Sequence, residues 1–497
     1  MVRREKPLVN RIKDQFHYFG LRSLLYGIIF LFCLYNNISG ITFPLYVIAT
    51  LVFLHLFMKR IHFKLQKNSM PYMIGMVLLG VSSSITTSTF FHIFNWIGIA
   101  LLLAVFMMHQ FYDHRDWNIV DYVERLVILF VTSLGSIVYP FEHLSRSLKS
   151  NSSKQKKMIM SIIIGLSLAL IILAIILPML MSSDAVFERV FRRIFGYINL
   201  RTLIVSAFVF MIGFIGIYSF FVALCKYNFP KKKDRRKSNV NCVIGITFTS
   251  ILAVIYIIYC IIQIVFLFIG VEIGLPEGMT YAGYARAGFW ELIFVSMANF
   301  IIVLTSMYLF KESNVLKSIL ATISGCTFII ALSAAYRMLL YITEFHLTFS
   351  RVLVLWFLCV LMFIMVGVIR TIYSESFSLF KYIVVVVSIF YIGFSLSRPD
   401  YWIARYNISN TQNMTVRDVQ FLINDLSLDA APAIARIDMD DIQNDTHITW
   451  DEDALGRSMR HYFEYIIEEN QGIYFRRANY SRIRARLAAE RWVSADE

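Results

Sequence analysis

The feature that most restricts what this chain can become is repetition. Over and over it runs through about 20 nearly uncharged residues, the length a helix needs to cross a bilayer. In lipid each span must satisfy its own backbone hydrogen bonds, so runs of this kind read as helices. They fall at about 23–39, 41–58, 71–88, 91–110, 158–181, 202–225, 241–270, 288–310, 315–341, 350–369 and 378–397. Composition agrees: 58% of residues are hydrophobic and 16% charged, with a mean hydropathy of +0.63. Ordinary globular domains are about half apolar and a quarter charged. The expected fold is an all-α polytopic membrane protein of about eleven transmembrane helices, with interfacial amphipathic helices and a small helical C-terminal tail. The expected division is a basic cytoplasmic segment at 1–22, a membrane domain at 23–398 and a soluble extracytoplasmic tail at 399–497.

The net charge of +14 does not point to nucleic acid. From Pro399 onward 17 acidic residues face 11 basic ones, a net −6, so the first 398 residues carry +20. That surplus sits in short loops between spans, where membrane orientation explains it, rather than on one folded face. The strongest cytoplasmic marker is KYNFPKKKDRRK, Lys226 to Lys237. Within it Lys231, Lys232, Lys233, Arg235 and Arg236 could also hold anionic lipid headgroups. Alternation along the loops places the N-terminus in the cytoplasm and the C-terminus outside, in a cell (inner) membrane, where the tail could meet an envelope protein.

Two stretches depart from the simple alternation. In the segment Trp117 to Phe141 only Val127 to Tyr139 is apolar, which is short for a span, and Asp121, Glu124 and Arg125 precede it. If it crossed, the basic loop of Arg146, Lys149 and Lys154 would move outside, so it is expected to be interfacial or re-entrant. Val186 to Ile198 repeats apolar residues at helical spacing opposite Glu188, Arg189, Arg192 and Arg193, the pattern of a helix lying in the interface.

No cofactor or metal is expected. Six cysteines lie in or beside apolar runs and form no thiolate motif. DMDDIQND, Asp438 to Asp445, fails as a calcium loop because Ile442 takes a ligand position.

Charges at span depth are what call for a function. TYAGYARAGFWEL, Thr280 to Leu292, places Tyr284, Arg286 and Glu291 at the mouth of one span, and Arg337, Tyr341 and Glu344 close the next. Such groups face a protein interior or a wet cavity, because lipid cannot solvate them. With Arg351, Asp400 and Asn407 they form a polar cluster at the outer ends of spans seven to ten. Helical spacing allows Glu291 to pair with Arg337 while Gly288 lets the helices approach. The cluster is then either a ligand site in which Arg337 or Arg286 grips an anion, or an ion-pair lock that seats the tail. No spacing singles out a nucleophile and base, so no catalytic residue is assigned. The leading reading is a non-enzymatic transport-related or envelope-sensing component. The alternative is an envelope enzyme acting at the same cluster on a lipid-linked or surface substrate.

The same blocks, with AAYRMLLYITEFHLTFSR (Ala334 to Arg351), RPDYWIARYNI (Arg398 to Ile408) and LINDLSLDAAPAI (Leu422 to Ile434), resemble a bacterial multi-pass membrane family catalogued as a domain of unknown function. The resemblance covers roughly 270 to 435 and implies no catalytic role. It implies that Tyr284, Arg286, Gly288, Glu291, Arg337, Tyr341, Arg351, Asp400 and Asn407 belong to one recurring unit.

Overall fold

The computed structural model describes the chain apart from residues 1–7, 64, 67–68, 114–116, most of 150–178, 196–199, 227–239, 266–288, 375, 412–413, 439–441, 443–451, 473–474 and 497. Among the described residues nine helices are long and apolar enough to cross a membrane. The protein is all-α and polytopic. It divides into two compact units, Met1–Pro230 with Gly472–Tyr480, and Lys231–Gln471 with Ser481–Glu497. The apolar run at 158–181 lies largely outside the described residues.

The first unit begins with α1 (Leu8–Asp14), α2 (Phe16–Leu34), α3 (Thr42–Arg60), α4 (Met70–Ile85) and α5 (Thr89–Phe111). The first span starts seven residues earlier than the apolar run suggests. His17 and Arg22 are tolerated because the face bearing Phe16, Phe19, Gly20 and Ser23 is buried, while Arg22 stacks over the Tyr18 ring at 3.5 Å. Ile12 of α1 is likewise 1% exposed, so α1 is packed into the unit.

Hydrogen bonds stitch the helices together at two opposite ends. At one end Arg60 Nε donates to Gln15 Oε1 at 2.6 Å, Gln110 reaches Ser69, and Gln66 Nε2 donates to His109 O at 3.3 Å. Tyr112 OH adds the end of α9 (Leu200–Lys226) by donating to Leu224 O at 2.7 Å. The other end holds the α2–α3 and α4–α5 turns and receives a segment more than 400 residues distant in sequence. Ile41 N donates to Ala478 O at 2.9 Å, and Asn37 Nδ2 to Arg476 O at 2.8 Å. Asn479, 1% exposed, points its amide at Ser39 O (2.8 Å), Thr86 O (2.9 Å) and Ser83 O (3.3 Å). These carbonyls sit at helix ends, where the helix itself supplies no donor. Gly40 is needed at this crossing because a Cβ there would collide with the Arg476 carbonyl.

α6 (Ile119–Gly135) and α7 (Tyr139–Lys149) form a pair bent by 49°. Asn118 and Asp121 make a capping box at its start. There Tyr122 OH lies 2.9 Å from His109 Nε2, and at its close Ser147 Oγ lies 3.2 Å from His17 Nε2. His109 and His17 belong to the same end of the unit. Val120, Val123, Val127, Phe130 and Leu134 make an exposed apolar stripe along α6. α8 (Ala185–Phe195) is amphipathic, with Val186 and Val190 exposed.

The second unit holds the spanning helices α10 (Cys242–Gln263), α11 (Phe289–Leu309), α12 (Asn314–Phe345), α13 (Phe349–Tyr373) and α14 (Leu379–Leu396). Lys311 N donates to Val240 O at 3.2 Å, setting the start of α10 beside the end of α11. Gly367 lets the Tyr382 ring close on α13, and Tyr382 OH donates to Phe363 O at 2.9 Å. The tail then folds as α15 (Pro399–Asn410), α16 (Val416–Asp425), α17 (Ala431–Ile434), α18 (Glu452–Glu469) and α19 (Tyr480–Asp496). It has its own core of Ile403, Val419, Leu422, Ile434, Met459, Phe463 and Ile466, with Leu347, Phe349 and Val352 from the α12–α13 junction packed against it. Thr415 caps α16 with Asp418 in a capping box.

Candidate functional site

Of the nine residues that sequence reasoning gathers, Tyr284 and Arg286 lie outside the described residues, as does the side chain of Glu344. So do Lys231, Lys232, Lys233, Arg235 and Arg236. The others fall into two groups, both in the second unit, and Glu291 is exposed on α11 beside the lipid-facing Trp290 and Phe294.

The first group is built around Arg337, 6% exposed on α12. Its Nη2 donates to Gln263 Oε1 at 3.0 Å, and Ser333 Oγ donates to the same oxygen at 2.6 Å. Ser333 and Arg337 are four residues apart, so they share one face of α12 and converge on the last residue of α10. Gln263 is itself 5% exposed. Farther along the same helices Asn299 Nδ2 donates to Thr327 Oγ1 at 2.9 Å and Cys260 Sγ to Cys326 O at 3.6 Å. The interface of α10, α11 and α12 is therefore a polar seam in an apolar setting, with Arg337 toward the α12–α13 end.

The second group seats the tail. α12 stops at His346, whose φ of 64° is left-handed and rare outside glycine and asparagine. Arg351 holds that turn: its Nη1 donates to the Phe345 and His346 carbonyls, and its guanidinium carbon lies 4.4 Å from the centre of the Tyr341 ring. Asn407 of α15 then reads the next residue as a strand would. Its Oδ1 accepts from Leu347 N and its Nδ2 donates to Leu347 O, both at 2.9 Å. His346 Nε2 comes within 3.9 Å of Asp418 Oδ1.

Asp400 is two turns from Asn407 on α15 and 5% exposed. Its Oδ2 accepts from Ser427 Oγ at 2.6 Å and Ser427 N at 3.2 Å. Burial pushes its carboxyl above the ordinary aspartate range; the Ser427 bonds pull it back only in part, and nearby Asp429 raises it further.

The structure gives Arg337 the partners Gln263 and Ser333, and Asp400 the partner Ser427, none of which sequence reasoning named. Gln263 carries a signal: it is the one Asn or Gln in its apolar run beyond the first residue. Ser333 and Ser427 carry none, since serines are scattered through the spans. Among the described residues no three His, Cys, Asp or Glu side chains gather as a metal site would require.

Residues 73–437 match the model of a family described as a domain of unknown function (DUF4153). No curated protein and no solved structure matches the chain. The four resembling blocks fall within the matched region, whereas α18, the 475–480 segment and α19 follow it.

Proposed function

From the premise that this chain belongs to the DUF4153 family, we propose that it is a non-enzymatic component of a bacterial inner membrane that recognises an anionic group at the outer ends of α10, α11 and α12. The observation that carries the reading is the fixed orientation of Arg337. A guanidinium is a planar fork of five donors suited to carboxylate or phosphate. Gln263 orients one arm of that fork, and Ser333 holds Gln263 in place. Arg351, by contrast, is committed to two backbone carbonyls and a ring, which suits a structural role. The cluster therefore divides its labour: Arg351, Asn407 and Asp400 seat the tail, and Arg337 faces a ligand. Basic loops put the N-terminus in the cytoplasm and this end of the spans outside.

The test is thermal unfolding of the full-length protein in detergent, with inorganic phosphate and citrate as probes. A ligand at a hundred times its Kd stabilises by about 2.7 kcal/mol, an easily read rise in Tm. The parent should show that rise. Arg337→Gln should lose it, and Gln263→Glu should lose it while keeping the fold, because a fixed carboxylate then occupies the fork. If neither probe moves the parent's Tm, or if Gln263→Glu still responds, the cluster is a lock and nothing more.

A further inference from the structure

The segment Phe475 to Tyr480 is held against the ends of α2–α5 by backbone and amide bonds, and its large side chains take little part. Phe475 is 72% exposed and Tyr480 47%. Phe32, Ile38 and Leu45, on α2, its turn and α3, are 59%, 51% and 48% exposed. Between these sits Arg476. Its Nη1 donates to Phe32 O at 3.0 Å, and its guanidinium carbon lies 5.9 Å from the centre of the Tyr35 ring. Phe32 is two residues from the end of a spanning helix. The guanidinium therefore rests at the level where that helix leaves hydrocarbon for headgroups.

We propose that Phe475, Arg476 and Arg477 form a phospholipid site, in which the remaining donors of Arg476 and the exposed Arg477 bind the phosphate and the acyl chains lie along Phe475 and Phe32. Three features point to lipid as the occupant. The exposed apolar side chains adjoin a helix surface that already faces acyl chains. Aromatic residues and arginine are the types that settle at the membrane boundary, the aromatic ring at headgroup depth and the arginine reaching out from an apolar stem. The backbone that carries them is pinned by Asn37 and Asn479, so the fork is placed before the lipid arrives. A free phosphate would use the arginines and leave the phenylalanines unexplained.

The test uses the full-length protein in its membrane with Phe475→p-benzoylphenylalanine, a change at an exposed position. Illumination should give a mass increase of one phospholipid. A second arm counts bound lipids by native mass spectrometry in mild detergent. Phosphatidylglycerol should be retained over phosphatidylcholine, and Arg477→Gln should weaken that retention by about fivefold, the contribution of one basic residue near an anionic surface. Inorganic phosphate should not compete. A cross-link to another protein, no cross-link at all, equal retention of both lipids, or competition by phosphate would each overturn the proposal.

Discussion

At the scale of single residues the fold spends its polar groups on helix ends and turns, and the cost of burying them shows at Asp400. Its carboxyl is raised above the ordinary aspartate value by burial, so the folded state holds a proton that the unfolded chain releases. The contribution of this group to stability is then fully present below the ordinary aspartate pKa and is lost as pH rises through the raised value. Asp400→Asn keeps an acceptor for Ser427 without the buried charge. It should equal or exceed the parent in stability at neutral pH, and the gap should close as pH falls toward about 4. Asp400→Ala leaves Ser427 N and Oγ without their acceptor and should cost about 1–3 kcal/mol. Unfolding in detergent across pH checks both; an Asn variant weaker than the parent at pH 7 would mean that the ionised carboxylate is what the site requires. The residues that matter were easier to read in the sequence than their partners. Arg337 stands out because a charge in an apolar run needs a reason, but its partner Gln263 is neutral and lies 74 positions away. Helical spacing favours near neighbours and suggested Glu291 instead.

At the scale of elements the apolar runs were legible because the bilayer imposes one length on all of them. Legibility failed where tertiary packing overrides hydropathy. α2 begins at Phe16 because the face bearing Phe16, Phe19, Gly20 and Ser23 packs inside the unit. α15 was not foreseen because its buried Asp400 and Ile403 face the tail's own elements while Asn407 faces Leu347 at the α12–α13 junction, a pattern with little hydrophobic periodicity. The α6–α7 pair falls where a short apolar helix opened by charges was expected to be interfacial or re-entrant, and its 49° bend fits a broken span as well as a re-entrant loop. Its two ends reach His109 and His17, at one end of the first unit, while the valine stripe of α6 faces outward. Both ends of the pair lying at one end of the unit favours the re-entrant form. Topology reporters fused after Asn118 and after Ser147 should therefore report the same side. Opposite sides would make this pair a broken span and shift every later crossing.

At the scale of the whole molecule the hydrogen bonds that stitch the first unit show which elements share each of its two ends. α2 starts at the end that holds Gln15 and Arg60, and α2 to α5 return the chain to it at Tyr112. The α6–α7 pair stays there. α9 also finishes there, at Leu224, and at 27 residues it begins about 40 Å away, at the opposite end. The close of α7 and the start of α9 therefore lie at opposite ends of the unit. From Lys226 the chain leaves on one side and comes back, at Arg476 to Asn479, on the other. The N-terminal helices and the 475–480 segment therefore lie at opposite ends of the first unit. On the orientation proposed above, a Phe475→Cys variant should react with a membrane-impermeant thiol reagent in spheroplasts, and Lys59→Cys only after permeabilisation. Labelling of both from the same side would mean that the two ends of the first unit do not face opposite sides of a membrane. Asn479→Asp adds a test of what fastens the segment, since it sets a carboxylate against three carbonyl oxygens. It should destabilise more than Asn479→Ala, which leaves those carbonyls unpaired at about 1–3 kcal/mol. The reverse order would mean that the bonds from Ile41 N and Asn37 Nδ2 to the carbonyls of Ala478 and Arg476, rather than the Asn479 amide, fasten the segment to the first unit.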